Sequence, residues 1–415
     1  MRKIYTSVDI GSDSIKVLVC EISKNKSNVL SIISQKSKGI KKGQIVNPDE
    51  AFKSIRDAIK KTEDTLGIKI SKVIATVPSY NATFALVEGY STITNDEHRV
   101  TGDDMVRTMQ SAVYNKTKEE HDLVAILPVD FMLDGKNNIK DPKGLKGSRL
   151  EVKAVMVCIP KKNSFPVVST LETLGLSVVD VTISPIADYE ALKDEETNTN
   201  LGALVNIGSE TTTVSIFNKG VLIGSKVIQS GGRNIDGDIS YVYHITKDVA
   251  RKIKETFAVC HKRYSNLDEI YEIVNDDNLP VRINQYEIAD VAYYRLVDIL
   301  KVIKTDINNL TNKEISYIII TGGTSEMIGF KAVAEEVFPC NVIIRELKTI
   351  GIRNNKYSSN IGMVNYFSQK LSLKGKEYSM LSSEETDEMV STKKQVLNVN
   401  NESVVGRLFG YFFDN

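Results

Sequence analysis

Two short stretches carry residue types that suit the binding of polyphosphate. In VDIGSDSIK (8–16) an acid, a glycine, two hydroxyls and a lysine follow one another as Asp9, Gly11, Ser12, Ser14 and Lys16. In VNIGSETTT (205–213) the pattern returns with Gly208, Ser209, Thr211 and Thr212. Glycine lets backbone approach a ligand closely, and successive N–H groups in a tight turn form an anion-binding concavity. Hydroxyls donate, Lys16 can reach across to phosphate, and Asp9 suits a hydrated Mg²⁺ held through water, which that ion gives up reluctantly. One such turn is weak evidence, because Gly-Ser turns are common in hairpins. Two copies, with a further strand that ends in Gly322–Gly323, carry more weight. The phosphate loops of other classes, G-x-x-x-x-G-K-[ST] and a strand-borne G-x-G-x-x-G, are missing.

The elements needed to position these turns are legible from their flanks. TSVDIGSDSIKVLVCEI (6–22) and ALVNIGSETTTVSIFNKG (203–220) both read as strand, turn, strand, and each leads into another strand-like run, at 27–40 and 220–232. The echo predicts duplicated α/β lobes that face each other. Residues 51–67 have helical apolar spacing and 72–78 read as a strand. From about Thr83 to Ser164 the texture changes to strand-like runs around a polar helix near 102–117, as an inserted subdomain would. Residues 234–306 read as largely helical, and 316–330 as a buried strand that ends in the glycine pair.

Composition bounds the remaining possibilities. With 415 residues, two or more domains are expected. Lys+Arg and Asp+Glu both number 53, a balance that argues against nucleic acid as a partner. Cys20, Cys158, Cys260 and Cys340 are scattered, and His98, His121, His244 and His261 form no metal motif. No apolar run approaches the roughly 20 residues of a membrane span, and charges interrupt the N-terminal stretch as they do not in a signal peptide. Residues 373–401 are Ser/Glu/Lys/Asn-rich and read as a flexible linker. Beyond it, on a helix over 403–413, Val404, Val405, Leu408, Phe409, Tyr411, Phe412 and Phe413 share one broad arc. That pattern suits shallow insertion at a lipid surface.

Taken together the motifs resemble the actin/Hsp70/sugar-kinase ATPase superfamily: two phosphate hairpins, the adenosine motif ITGGTSEMIG (320–329) and the helix ARKIKETF (250–257). Within it the chain is similar to the FtsA family of bacterial cell-division proteins. The likeness rests on 38–55, 74–84, 175–192, 229–240 and 350–362, and spans nearly the whole chain. It implies an α/β fold of duplicated actin-like (ribonuclease H-like) lobes with an inserted 1C subdomain and a C-terminal amphipathic helix. Subdomain 1A would be 1–82 and 165–200, 1C 83–164, 2A 201–236 and 306–372, and 2B 237–305, with the linker at 373–401 and a membrane-targeting helix at 402–415.

The resemblance also implies ATP or ADP as ligand, with Mg. It adds Gly232, Lys254, Glu255, Gly322, Gly323 and Ser325 to the nucleotide-contacting residues; no residue is assigned a catalytic role. It implies self-association into filaments, FtsZ through its C-terminal peptide on 2B, later divisome proteins on 1C, and lipid on the tail. The expected place is the cytoplasmic face of the cell membrane at the septum. Pilus-assembly actin homologues and sugar or acetate kinases share the motifs and remain the alternatives. Two departures bear on chemistry: Asn206 replaces the usual Asp of the second hairpin, and Ser184 stands where Glu or Gln is common. Loss of a carboxylate weakens cation and water activation, so ATP binding with slow or absent hydrolysis is expected.

Overall fold

The computed structural model describes residues 3–23, 26–375, 377–382 and 385–386. Two five-stranded mixed sheets of identical topology form its body. In the first, the order is Ser177–Ile183, Lys72–Val77, Lys3–Ile10, Ser14–Ser23, Lys26–Lys36. In the second it is Asn341–Ile343, Tyr317–Thr321, Leu201–Ile207, Thr212–Asn218, Val221–Ile228. Each sheet has an antiparallel meander of three strands, whose first strand also pairs in parallel with the next. The two lobes are therefore ribonuclease H-like duplicates in an actin-like arrangement, as the sequence echo predicts. Their central strands are buried on both faces, and the β-branched and aliphatic runs KIYTSVDI and YIIIT fit that setting.

Helices cover the sheets. Pro48–Leu66 starts behind Asn47, whose side chain accepts from the Glu50 N–H, and it stops at left-handed Gly67. Ala51, Ile55, Ala58, Ile59 and Leu66 form its buried face. Helices Ser184–Leu192 and Ser358–Leu373 pack on each other where Gly362 lies over Ala187. A Cβ on Gly362 would stand 1.6 Å from the Ala187 carbonyl oxygen, so only glycine allows this approach.

The chain leaves the first sheet after Lys72–Val77 and builds a separate four-stranded antiparallel sheet before Lys161–Thr173 returns it. That module has its own core, from Val87, Met105, Phe131 and Leu150. Its helix, Gly102–Val113, begins with a capping box between Thr101 and Asp104. Within the region expected to be helical, Ile270–Val274 and Pro280–Asn284 instead form a hairpin. Gly232–Tyr243 and Gln285–Leu310 run without a break through the expected subdomain junctions at 236–237 and 305–306, because helical hydrogen bonding continues across both.

The expected flexible linker at 373–401 is corrected at its start. Residues 377–382 lie along the first strand: the Met380 N–H donates to the Ile4 carbonyl at 2.9 Å and the Tyr5 hydroxyl to the Tyr378 carbonyl at 2.9 Å. Met380 and Leu381 are buried, so three apolar side chains in a polar run, Tyr378 among them, are enough to dock it. The rest of the linker beyond 386, and the amphipathic segment with Val404, Val405, Leu408, Phe409, Phe412 and Phe413, lie outside the described residues. Among the described residues no helix is long and apolar enough to cross a membrane.

Candidate functional site

The two duplicated hairpins meet at one cleft of about 990 Å³ between the lobes. Their turns are built alike. Gly11 donates its N–H to the Ser14 carbonyl at 3.2 Å, and Gly208 donates to the Thr211 carbonyl at 2.9 Å. Gly11, Ser12, Ser14 and Lys16 line the cleft from one lobe; Gly208, Ser209, Thr211 and Gly232 line it from the other. Lys254, Glu255, Gly322 and Gly323 complete its wall. Gly322 has φ +97°, and a Cβ there would lie 2.5 Å from the Ile207 carbonyl oxygen, so the Gly322–Gly323 turn packs against the second hairpin only as glycine.

Two of the residues singled out from sequence are turned elsewhere. Thr212 is fully buried and donates its hydroxyl to the Ser230 carbonyl at 2.8 Å. Strand alternation puts its neighbour Thr213 on the cleft side instead. Ser325 is also buried and closes a local turn by donating to the Gly322 carbonyl at 2.8 Å. Lys254 reaches the cleft, but its ammonium is held by the Gly232 carbonyl at 3.0 Å and Asp236 at 2.6 Å. Glu255 pairs with Arg251 at 2.9 Å.

Asp9 accepts from Lys16 at 2.7 Å and from the Thr76 hydroxyl at 2.8 Å. Its neighbour in the duplicate, Asn206, donates to Asp188 at 2.6 Å. Asp188 is fully buried on helix Ser184–Leu192 and also accepts from Ser358 and Ser359, both at 2.7 Å. Burial pushes its carboxyl up to about 6, and the charge of Asp9 adds to the rise. Desolvation opposes the charge on Lys16, yet Asp9 beside it holds the ammonium above its ordinary range. Neither Thr76 nor Asp188 is legible from spacing, since each joins the site across long stretches of chain.

Contacts bridge the cleft mouth. Arg251 meets Asp13 of the first turn at 2.5 Å and 2.9 Å, and the Lys42 N–H donates to Glu210 of the second turn at 2.6 Å. Arg233 also pairs with Glu210. Every described carboxylate of the cleft wall thus has a partner: Asp9 with Lys16, Asp13 with Arg251, Asp236 with Lys254, Asp248 with Lys36, Glu255 with Arg251, and Glu326 with the Asn355 N–H. Ser184 contributes only a hydroxyl to this wall. The arrangement can cradle a polyphosphate between two turns, with Lys16 paired to Asp9 at the first of them and Asp13 of that turn neutralised by Arg251.

Among the described residues no group of three His, Cys, Asp or Glu side chains could cage a metal. A hydrated Mg²⁺ fits nonetheless, because that ion is held by phosphate oxygens and water with few protein carboxylates, and Asp9 lines the cleft.

Residues 203–362 match the family described as cell division protein FtsA, and residues 83–158 match the SHS2 domain inserted in FTSA. The chain is 28% identical to cell division protein FtsA of Bacillus subtilis over 92% of its own length and 88% of the relative's. It is 25% identical to the Pseudomonas aeruginosa protein of the same description, over 91% of this chain and 94% of that one. Among solved structures, a PilM-PilN type IV pilus biogenesis complex superposes with TM-score 0.59 at 12% identity, over 89% of this chain and 98% of that one. MreB5 of Spiroplasma citri bound to ADP gives 0.54 at 12% identity, over 90% and 99%. At such identities the likeness to solved structures is one of fold.

Proposed function

The chain belongs to the FtsA family of cell-division proteins, and we propose that it is an ATP-binding, self-assembling adaptor that ties FtsZ filaments to the membrane at the division septum. The observation that carries the nucleotide part of this reading is the pair of like-built turns, Gly11–Ser14 and Gly208–Thr211, on opposite walls of one cleft. Lys16 would supply a cation to a phosphate, and Asp9 would hold Mg²⁺ through its water shell. Bound between the turns, ATP or ADP would take N–H and hydroxyl donors from both lobes and so hold the lobes at one separation. Lobe separation then sets the fit of one copy to the next in a filament. Asp9 is the carboxylate on the cation side, Asn206 and Ser184 bring no charge to orient water, and hydrolysis is accordingly slow.

FtsZ is assigned to residues 237–305, where Tyr241, Leu267, Val274, Leu279 and Tyr294 are each more than half exposed, a surface suited to an apolar peptide. The inserted module at 83–164 is assigned to filament contacts and later divisome proteins, and the 402–415 segment to lipid on the cytoplasmic face. A small-molecule kinase needs a free carboxylate base at the acceptor hydroxyl. The paired state of the cleft acids speaks against that reading. In cells, a fluorescently tagged copy should form a mid-cell ring; diffuse fluorescence with normal FtsZ rings would overturn the proposal. In vitro, removal of residues 403–415 should release the protein from liposomes, and unchanged pelleting would refute the membrane assignment.

A further inference from the structure

The duplicated hairpins differ in charge at one pair of positions. In the first, Asp9 stands opposite Lys16 and pairs with it at 2.7 Å. In the second, neutral Asn206 stands opposite neutral Thr213. The acid comes instead from helix Ser184–Leu192: Asp188 Oδ2 takes the Asn206 Nδ2–H at 2.6 Å, and its Oδ1 takes Ser358 and Ser359. All three neighbours donate, so the ionised carboxylate is their common acceptor. An amide with its NH₂ committed to a carboxylate has only one orientation. The Asn206 Oδ1 then faces Gly322 on the cleft wall, 2.6 Å from where a Cβ of that residue would sit. An acid at 206 would set two carboxylates 2.6 Å apart in a buried setting.

We infer that Asp188 is a positioning residue of the nucleotide site. It holds the Asn206 amide with the oxygen toward Gly322 of the cleft wall, so the second hairpin offers a neutral acceptor where the first offers a carboxylate. The cation dependence of nucleotide binding then rests on Asp9 alone. The inference rests on the nucleotide reading given above and deepens it.

The test is an exchange of the pair in the full-length protein. Asn206→Asp, Asp188→Asn and the double variant Asp188→Asn/Asn206→Asp are titrated with a fluorescent ATP analogue, in Mg²⁺ and in EDTA. Each single variant should weaken binding about tenfold, the effect of losing or opposing one charge-assisted hydrogen bond. The double variant has its acid and amide exchanged and should regain the wild-type affinity in Mg²⁺. Its ratio of affinity in Mg²⁺ to that in EDTA should rise about tenfold over wild type, because a carboxylate now faces the phosphates. An additive double variant, or an unchanged ratio, overturns the inference. Should Asn206→Asp fail to fold, recovery of folding in the double variant supports the pair, and a double variant that also fails overturns it. A wild-type protein that binds no nucleotide overturns the nucleotide reading itself, a result distinct from either of these.

Discussion

Arg251, on helix Lys247–Thr256 of one lobe, grips Asp13 in the phosphate-type turn of the other through two guanidinium–carboxylate contacts, Nη1–Oδ1 at 2.5 Å and Nη2–Oδ2 at 2.9 Å. The relationship solves an electrostatic problem. In the proposed nucleotide site, an acid in the turn would repel a phosphate unless that acid is neutralised. Arg233, 4.0 Å from the same carboxylate, adds to the neutralisation.

Arg251→Ala should therefore weaken ATP binding about tenfold, the scale of one bidentate charge-assisted contact. Asp13→Asn/Arg251→Ala should recover most of the loss, since the repulsive charge leaves together with its partner. A double-mutant cycle by fluorescence titration reads this directly; additive losses would show that Arg251 acts by another route.

How much of this site was legible in the sequence follows from how local each part is. The hairpins at 8–16 and 205–213 were, because alternation, a Gly-Ser turn and a repeat are all short-range signals. Their assembly on one cleft follows from the duplication. Thr213 could have been chosen over Thr212 from the same period of two, since residues 211 and 213 point one way and 212 the other. Asp13–Arg251, Thr76–Asp9 and Asp188–Ser358 join positions far apart in the chain, and no spacing rule reaches them. The docking of Tyr378, Met380 and Leu381 was hidden by the polar composition around them.

Asp188 makes stability depend on pH. Its carboxyl ionises at the ordinary 3.8 when unfolded and at about 6 when buried. Between those values the folded protein keeps a proton that the unfolded chain has lost. The stabilisation is thus present at acid pH, falls as pH rises through this window, and is gone above it; its full size is about 2–3 kcal/mol. Chemical denaturation at steps from about pH 3.5 to 7 should show wild-type stability falling between the unfolded and folded values and levelling off above about 6. Asp188→Asn should lose this slope, and an unchanged slope would assign it to another group.

The packing of Ser184–Leu192 on Ser358–Leu373 should be intolerant of any side chain at 362. The atom that a new Cβ meets is backbone, the Ala187 carbonyl oxygen, which no rotamer change can move aside. Gly362→Ala should cost about 3 kcal/mol, at the upper end for overpacking. Gly43→Ala, where a Cβ meets nothing within 4 Å but φ is +71°, should cost about 1 kcal/mol from backbone strain alone. Urea unfolding of both variants tests the ranking, and the opposite order would show that the helices can part.

The docked segment at 377–382 separates two roles that a single C-terminal deletion would confuse. Met380 is buried against the first strand, its sulfur 3.1 Å from the Thr6 N–H, and Tyr378 meets Phe367 edge-on. A chain that ends at 401 keeps these contacts and loses the amphipathic segment, so its melting temperature should match wild type while it no longer pellets with liposomes. A chain that ends at 375 loses both. Exposing the surface under Met380 and Leu381 should cost it a further 2–5 kcal/mol or so, the usual range for loss of buried apolar side chains. Met380→Ala in the full chain should reproduce part of the thermal loss and leave lipid binding intact. Equal melting of the two truncated chains would mean that the first strand does not need its cover.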